Sequence, residues 1–179
     1  SKPNRNFWGA REFEQAELKL LDDAVSSSRF ITQRKSRIIA KKIMSLSSIN
    51  GREELKRNIY AAGRIKADNE SFLYIVDAVN EAITRKRKIS FQYTDYTPKK
   101  KKILKNDGEV YILSPYALFW NDDYYYVVGY SDKHKNVSSF RVDRICNIRM
   151  SDEKSVREPD DFSLERYSRQ IFEMYDGNT

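Results

Sequence analysis

The spacing of apolar residues changes near residue 88, and this change limits the fold more than any other feature of the sequence. Before it, apolar residues recur every three or four positions, as on one face of a helix. The clearest such stripe consists of Phe72, Ile75, Val76, Val79 and Ile83. After it, Ile89, Phe91 and Tyr93 alternate with polar residues, which is the pattern of a half-buried strand. The sequence therefore predicts an α+β architecture, with helices first and a sheet after them.

Turn signals divide the region after residue 88 into five short predicted strands. The strands are separated by Thr97-Pro98, Asn106-Asp107-Gly108, Asn121-Asp122-Asp123 and the polar loop Ser131–Asn136. The Asp-Gly pair in the second signal predicts a hairpin, because such pairs suit the positive φ angles of tight hairpin turns. Five short strands that follow one helix favour a small helix-capped barrel, in which closure leaves no exposed edge.

Further helices are predicted on both sides of this region. Upstream, one is expected from about Glu12 to Val25, a second after the capping residue Thr32, and a short third around Arg52–Tyr60. Downstream, residues 151–160 are polar and linker-like, and a last helix is expected over Phe162–Met174. The chain is therefore predicted to consist of a helical region (1–68), a helix-and-strand domain (69–150) and a C-terminal segment (151–179).

The net positive charge of the chain is concentrated in one segment. The formal net charge is +7, whereas the segment from Arg85 to Lys105 holds nine cations and one acid, so the rest of the chain is slightly acidic. A concentrated basic segment indicates a polyanionic partner. Lysines on an edge strand also keep sheets from aggregating. Charge alone leaves both interpretations open.

The residues that usually carry catalysis are scarce. His134, the only histidine, lies in a polar loop, and Cys146, the only cysteine, lies in an alternating strand. A solvated histidine and a buried structural thiol are the favoured interpretations. These two residues cannot form a conventional zinc site, and no Gly-rich phosphate loop or nucleophile motif occurs. We therefore expect no enzyme, no metal and no cofactor.

The same features predict where the protein resides. A single cysteine cannot form an internal disulfide, which favours a reducing compartment. No apolar run approaches the roughly 18 residues that span a bilayer. We therefore expect a cytoplasmic protein without membrane contact.

Tyrosines are concentrated in the predicted strands. Eight of the twelve lie between Tyr93 and Tyr130. A tyrosine on a sheet offers a flat face on which a base can stack, worth roughly 1–3 kcal/mol per base, and nearby lysines attract phosphate. Tyrosine is also simply a good strand former that is stable when half-buried. Only a few of the eight are therefore expected to contact a ligand.

Two arginines distinguish the last predicted strand, Val137–Ile148. Within it the apolar alternation restarts off register after Val142, which predicts a bulge near Asp143 and Arg144. Arg141 and Arg144, on either side of such a bulge, could bind phosphate or a base edge bidentately. Alternatively, one of them pairs with Asp143 or another carboxylate and stabilises the barrel. The sequence leaves these two interpretations open.

Three elements of the strand region resemble the WYL-domain family. The segment Tyr111-Ile112-Leu113-Ser114-Pro115-Tyr116 is similar to the family's Tyr-x-x-Ser-Pro-Tyr strand. Tyr125-Tyr126-Val127 stands where the family has Trp-Tyr-Leu, and Phe140-Arg141-Val142-Asp143-Arg144-Ile145 matches the closing Phe-Arg-x-Asp-Arg-Ile. The order and spacing of the three linked elements make the resemblance specific, and it covers Ile83 to Met150.

The resemblance implies a fold and a function for each part of the chain. Residues 69–150 would form an Sm-like, SH3-type five-stranded β-barrel that binds single-stranded nucleic acid or a nucleotide. The protein would be a bacterial transcriptional regulator whose ligand controls a DNA-binding domain on duplex DNA. Residues 1–68 look like its helical linker and dimerisation region, 1–13 like the tail of a winged-helix domain, and 151–179 like a linker and the start of a C-terminal extension. We therefore expect a homodimer and further domains outside this chain.

The resemblance also implies which residues bind the ligand. Carried over position by position, they are Ser114, Tyr116, Tyr126, Arg141 and Arg144, and the candidate electrostatic contacts are Lys99, Lys100, Lys101 and Lys102. The alternative is a protein–protein interaction module without a ligand of its own, serving dimerisation or acting as an accessory factor to a CRISPR effector. Steep weakening of binding with salt would indicate nucleic acid, whereas an apolar docking surface would show little salt dependence.

Overall fold

The computed structural model describes residues 13–47, 66, 69–99, 101–121 and 123–176, with side chains up to residue 170. The chain divides into two compact units, Ser1–Asp68 and Asn69–Thr179. The helix predicted around Arg52–Tyr60 and the predicted winged-helix tail before residue 13 lie outside the described residues. Among the described residues, no helix is both long enough and apolar enough to cross a bilayer.

The first unit contains two helices, α1 (Gln15–Ser27) and α2 (Gln33–Ser45). A capping box begins α1, in which the side chains of Glu14 and Glu17 each accept a hydrogen bond from the other residue's backbone N–H. Thr32 caps α2, as predicted, because its hydroxyl accepts a hydrogen bond from the Lys35 N–H at 3.2 Å. Among the described residues of this unit, the buried apolar ones are Leu18, Phe30, Ile31 and Ala40.

The second unit consists of one helix, six strands and a C-terminal helix. In chain order these are α3 (Phe72–Arg85), β1 (Arg87–Tyr96), β2 (Lys102–Leu104), β3 (Val110–Asn121), β4 (Tyr124–Ser131), β5 (Asn136–Arg141), β6 (Ile145–Lys154) and α4 (Leu164–Asp176). The predicted stripe of α3 is buried at Phe72, Ile75 and Val79. Lys86 follows in the left-handed conformation (φ 52°) and turns the chain from α3 directly into β1.

All six strands belong to one antiparallel sheet, so the α+β prediction is confirmed. The strand order is β2-β1-β3-β4-β5, and β6 pairs with β1. Within the described part of the chain, no ladder joins β5 to β6, so the sheet is open and the predicted closed five-stranded barrel is not observed. A one-turn 3-10 helix, Val142–Arg144, redirects the chain from β5 to β6 and thereby from the edge beside β4 to the edge beside β1.

Two details of the predicted strands are wrong. The turn at Asn106-Asp107-Gly108 does adopt positive φ angles of 50°, 53° and 81°. It nevertheless forms no hairpin, because β2 and β3 both pair antiparallel with β1 and therefore run in the same direction. The fifth predicted strand, Val137–Ile148, is divided into β5 and β6 by the 3-10 turn, which stands where we expected a bulge.

The buried apolar residues of the second unit lie on α3 and on the strands of the sheet. They include a cluster of aromatic rings on β1, β3 and β5 with centroids 5.2–6.1 Å apart, formed by Phe91, Tyr93, Tyr111 and Phe140. Phe72 of α3 contacts Tyr125 edge-on at 5.9 Å. Asn69 ties the start of this unit to the 3-10 turn, because its side-chain amide donates to the carbonyls of Asp143 and Ile145, each at 3.1 Å.

Candidate functional site

A polar groove runs along β5, at one end of the strand order. It has a volume of about 640 Å³. Its lining residues come from β1, β3, two turns, β5, the 3-10 helix Val142–Arg144 and α4. They are Tyr93, Lys105, Asn106, Tyr111, Lys133, His134, Asn136, Val137, Ser138, Ser139, Phe140, Arg144 and Tyr167. We call this feature the β5 groove. Because its walls are distant in sequence, only tertiary folding assembles it.

The β5 groove is cationic. Its described lining residues include Lys105, Lys133 and Arg144 but no acid. Lys133 forms an ion pair with Glu109, and its ammonium lies 4.8 Å from the centroid of the Tyr111 ring. The hydrogen bond that Lys133 donates to Glu109 is the main reason that the pKa of Lys133 is raised above its usual value. Lys133 therefore stays charged at neutral pH.

Arg144 is held at the edge of the groove by the 3-10 turn. Its terminal Nη1 lies 3.6 Å from the Asp95 carboxylate, which is too long for a strong hydrogen bond. Its Nε is buried, and no hydrogen-bond acceptor among the described residues reaches it. The guanidinium thus faces a cationic, polar groove with part of its donor capacity unused. The exposed part of the guanidinium, whose contact with Asp95 is long, is the part that an anionic ligand in the groove could reach.

The aromatic cluster forms the apolar wall of the groove. Burial raises the pKa of Tyr93 to about 12, so its hydroxyl stays protonated at neutral pH. That hydroxyl accepts a hydrogen bond from the Arg141 backbone N–H at 3.1 Å. Tyr167 extends the wall from α4, where its hydroxyl donates to the Val137 carbonyl at 3.5 Å. The groove therefore combines cations, hydroxyl groups and ring faces.

The second predicted arginine, Arg141, does not line the β5 groove. Its Nε and Nη2 donate to the two carboxylate oxygens of Asp143 at 3.1 and 2.8 Å. The guanidinium also lies over the Tyr124 ring, 3.5 Å from its centroid. Burial opposes the charge on Arg141, but the hydrogen bond and the charge of Asp143 outweigh it, and the pKa of Arg141 is raised. For Arg141 the geometry therefore matches the ion-pair alternative that the sequence left open.

Tyr126 lies beside Arg141. It is the cross-strand neighbour of Arg141 in the β4–β5 ladder, and its ring stacks on Phe119 with a centroid distance of 5.4 Å. Tyr126 does not line the β5 groove. The structure therefore brings Tyr126 and Arg141 together, but it separates both side chains from the groove that Arg144 lines.

The two residues predicted on β3 contact the C-terminal segment. Ser114 is fully buried, and its hydroxyl accepts a hydrogen bond from the Val156 N–H at 2.9 Å. The Tyr116 hydroxyl donates to the Arg157 carbonyl at 3.2 Å, and its ring contacts Phe162 at 5.8 Å. Both side chains therefore fasten the segment after β6 to the sheet.

The predicted lysines that the structure describes do not line the groove, whereas two residues that were not predicted do. Lys99, Lys101 and Lys102 are exposed and do not line the groove, and Lys100 lies outside the described residues. Sequence reasoning missed Lys133 and Tyr167 as groove residues. Lys133 belongs to a loop that the sequence marks only as polar, and Tyr167 reaches the groove only because α4 packs against β5. No local sequence signal could have found either.

Metal ligation and thiol chemistry find no support in the described residues. No group of three or more His, Cys, Asp or Glu side chains is placed to hold a metal ion there. Cys146 is half-buried, and its thiol contacts the Gln92 carbonyl at 3.5 Å. Burial raises the pKa of Cys146, which lowers its reactivity.

Comparison with known proteins identifies the strand domain. The family model of the WYL domain matches residues 74–150. No curated protein matches the chain. Among solved structures, the chain is similar to proteasome accessory factor B/C (PafBC) of Arthrobacter aurescens, with 15% identity, a TM-score of 0.42 and 84% of this chain covered. The alignment spans 23% of the length of that protein. The match at residues 74–150 confirms the resemblance to the WYL-domain family that the three strand motifs predict.

Proposed function

We propose that the WYL domain binds single-stranded nucleic acid or a nucleotide in the β5 groove and acts as the ligand-sensing part of a transcriptional regulator. The observation that carries this proposal is Arg144, whose guanidinium is only loosely paired with Asp95, at 3.6 Å, while its side chain lines a groove that also holds Lys105 and Lys133. Phosphate is the ligand group that such a cluster fits best, because it accepts several charge-assisted hydrogen bonds at once.

The rings of the groove explain why a nucleotide suits it better than a simple anion. Tyr167 contributes a half-buried ring beside the cations, whereas the rings of Tyr111 and Phe140 are almost fully buried. A base that stacked on such a ring would add roughly 1–3 kcal/mol, while the lysines would contribute salt-sensitive phosphate attraction. Recognition of this kind tolerates sequence variation, since every base has an aromatic face.

We assign different roles to the other residues predicted from the sequence. Arg141, which donates two hydrogen bonds to Asp143, would position the chain leading into the 3-10 turn and hence Arg144. Ser114 and Tyr116 would hold the C-terminal segment on β3. Tyr126 would present an aromatic surface next to Arg141, outside the groove. Of the five binding residues predicted from the sequence, only Arg144 would then contact the ligand directly.

Binding in the groove offers a route to regulation. Tyr167 places α4 at the groove wall, so a ligand would contact the sheet and the C-terminal helix together. A ligand shifts a conformational equilibrium only by its differential affinity for the two states. We propose that the ligand favours one arrangement of α4 on the sheet and that this preference reaches a DNA-binding domain outside this chain.

Fluorescence anisotropy with a labelled 12-nucleotide single-stranded DNA, the matching RNA and a duplex, at two salt concentrations, tests the proposal. Arg144→Gln should weaken single-strand binding by roughly 1.5–3 kcal/mol, or about tenfold to 150-fold, if its hydrogen bond to phosphate is direct. Arg149→Gln is the matched control, because Arg149 is exposed on β6 and does not line the groove. Equal affinity of Arg144→Gln and wild type would refute the proposed site.

The alternative function, a protein-interaction module, rests on a separate observation. Several apolar side chains of β2 and β3 are exposed, namely Ile103 (49%), Leu104 (41%) and Val110 (55%). Such side chains suit docking or dimerisation. Replacing Ile103 and Val110 by Ser would then abolish self-association in light scattering and leave single-strand affinity unchanged. If the ligand-sensing proposal is correct, the same two substitutions should leave self-association unchanged.

A further inference from the structure

The exposed side of α2 carries a dense positive charge that the proposed function does not use. The helix contains no acid, and its five cations are Arg34, Lys35, Arg37, Lys41 and Lys42. Four of them are exposed and Lys35 is half-buried, whereas Ser36 and Ala40 on the opposite side are buried. The cations therefore share the side of α2 that faces solvent within its unit. We call this set of five the α2 basic face.

A cavity adjoins the α2 basic face. It has a volume of about 280 Å³, and Arg37 and Lys41 line it together with Lys66 and the serines Ser26 and Ser36. Of the described residues that line it, none is acidic. Two helical cations therefore flank a recess whose wall contributes hydroxyl groups and a third positive charge.

Lys66 is fixed in this recess by three oxygen acceptors. Its ammonium donates to the carbonyls of Val25 and Ser28 at 3.2 and 2.9 Å and to the Ser36 hydroxyl at 2.8 Å. All three ammonium donors are thereby occupied. Lys66 contributes its charge and stabilises the C-terminal end of α1, while Arg37 and Lys41 retain the reach to contact a ligand.

We propose that the α2 basic face binds the phosphate backbone of duplex nucleic acid, independently of the β5 groove. Protein interfaces centre on apolar and aromatic anchors and are depleted in lysine. On the exposed side of α2, Ile38 is the main apolar residue, at 39% exposure, and lysines and arginines surround it. This composition disfavours a protein partner and matches a polyanion.

The spacing along α2 suits a regular row of phosphates. Arg37 and Lys41 are four positions apart, which corresponds to about 6 Å along a helix. One strand of duplex DNA presents a phosphate roughly every 3.4 Å along its axis. Cations on successive turns can therefore each reach a different phosphate of the same strand. Such contacts carry no sequence information; they would add affinity and orientation to binding that another domain makes specific.

The test compares two triple variants of the full chain that remove the same charge. One is Arg37→Gln/Lys41→Gln/Lys42→Gln on α2, and the other is Lys99→Gln/Lys101→Gln/Lys102→Gln in the exposed lysine segment. Glutamine preserves helix propensity at exposed positions, and circular dichroism verifies that each variant is folded. Affinity for a random-sequence 20-base-pair duplex is measured by anisotropy from 50 to 300 mM KCl, with the 12-nucleotide single strand as a second probe.

We expect the α2 variant to lose at least tenfold in duplex affinity at low salt. Its plot of log K against log salt should flatten by about 0.9 for each lost phosphate contact, and so by about 2.7 for three. Its single-strand affinity should equal that of wild type, which separates this result from any failure of the groove proposal. The lysine-segment variant should retain most of the duplex affinity.

Two results would overturn the inference. One is a wild-type salt slope in the α2 variant, whether or not the lysine-segment variant loses duplex binding. The other is a change in oligomeric state of the α2 variant in light scattering without a change in duplex affinity, which would make α2 a protein interface.

Discussion

The ion pair between Arg141 and Asp143 allows the strongest test of how the WYL domain is held together. Asp143 is 8% exposed, and the Arg141 side chain is 22% exposed. Both carboxylate oxygens accept from the guanidinium, which also lies on the Tyr124 ring. Replacing Arg141 by Ala would remove all of these contacts and leave the Asp143 carboxylate buried without its charged partner.

The expected cost follows from the burial of the two groups. Removal of one member of a buried ion pair costs about 3–5 kcal/mol, because the remaining charge is left uncompensated. Arg141 retains some solvent contact, so the value should lie near the lower end, at about 3 kcal/mol. For a domain of this size such a loss is a large part of the total stability, which is about 5–15 kcal/mol.

Urea unfolding followed by near-ultraviolet circular dichroism measures this cost, because most tyrosines lie in the sheet. Arg149→Ala on exposed β6 is the control and should change the free energy of unfolding by less than about 0.5 kcal/mol. A double-mutant cycle with Asp143→Ala should show that the two substitutions together cost less than their sum. If Arg141→Ala unfolds at the wild-type urea concentration yet loses ligand affinity, Arg141 is a ligand contact and our assignment is refuted.

Two further predictions concern the core. Because the pKa of Tyr93 is raised to about 12, the folded state favours its neutral phenol, and the stability that Tyr93 contributes below pH 10 is lost as the pH rises towards 12. Urea unfolding at pH 9 and pH 12 should show this loss, worth about 2–3 kcal/mol, in the wild type but not in Tyr93→Phe. Equal losses in both proteins would contradict the prediction. Gly129→Ala should destabilise by about 3 kcal/mol or more, because a Cβ there would lie 2.1 Å from the Ser114 carbonyl oxygen; thermal unfolding within a few degrees of wild type would show that β3 and β4 can separate without cost.

Much of the local structure could be predicted from the sequence, because its signals act over a few residues. The apolar stripe of α3, the Thr32 cap of α2 and the positive φ angles at residues 106–108 all follow from nearest-neighbour chemistry. The pairing partners of the strands could not be predicted in the same way. The turn at residues 106–108 is compatible with a hairpin and with a loop between two strands that do not pair with each other. The second arrangement occurs because β1 is long enough to pair with both β2 and β3.

The candidate site shows the same division. Arg144 was selected from a pattern within one strand, and it lines the groove. Lys105 was visible only as one member of the basic segment, and Lys133 and Tyr167 had no distinguishing pattern at all. A groove depends on which loops and helices pack beside an edge strand, and hydrophobic periodicity contains no information about that arrangement.

The sequence by itself was sufficient to predict the order of helices and strands, the family that the strand domain resembles and the two arginines that are candidate ligand contacts. The tertiary structure decided which of the two arginines is closely paired with a carboxylate. The 3-10 turn brings the Asp143 carboxylate within 2.8 Å of Arg141, whereas the carboxylate nearest to Arg144 belongs to β1 and stays 3.6 Å away. An ion pair depends steeply on distances of this size, and such distances are set only when β1, β5 and β6 have packed together.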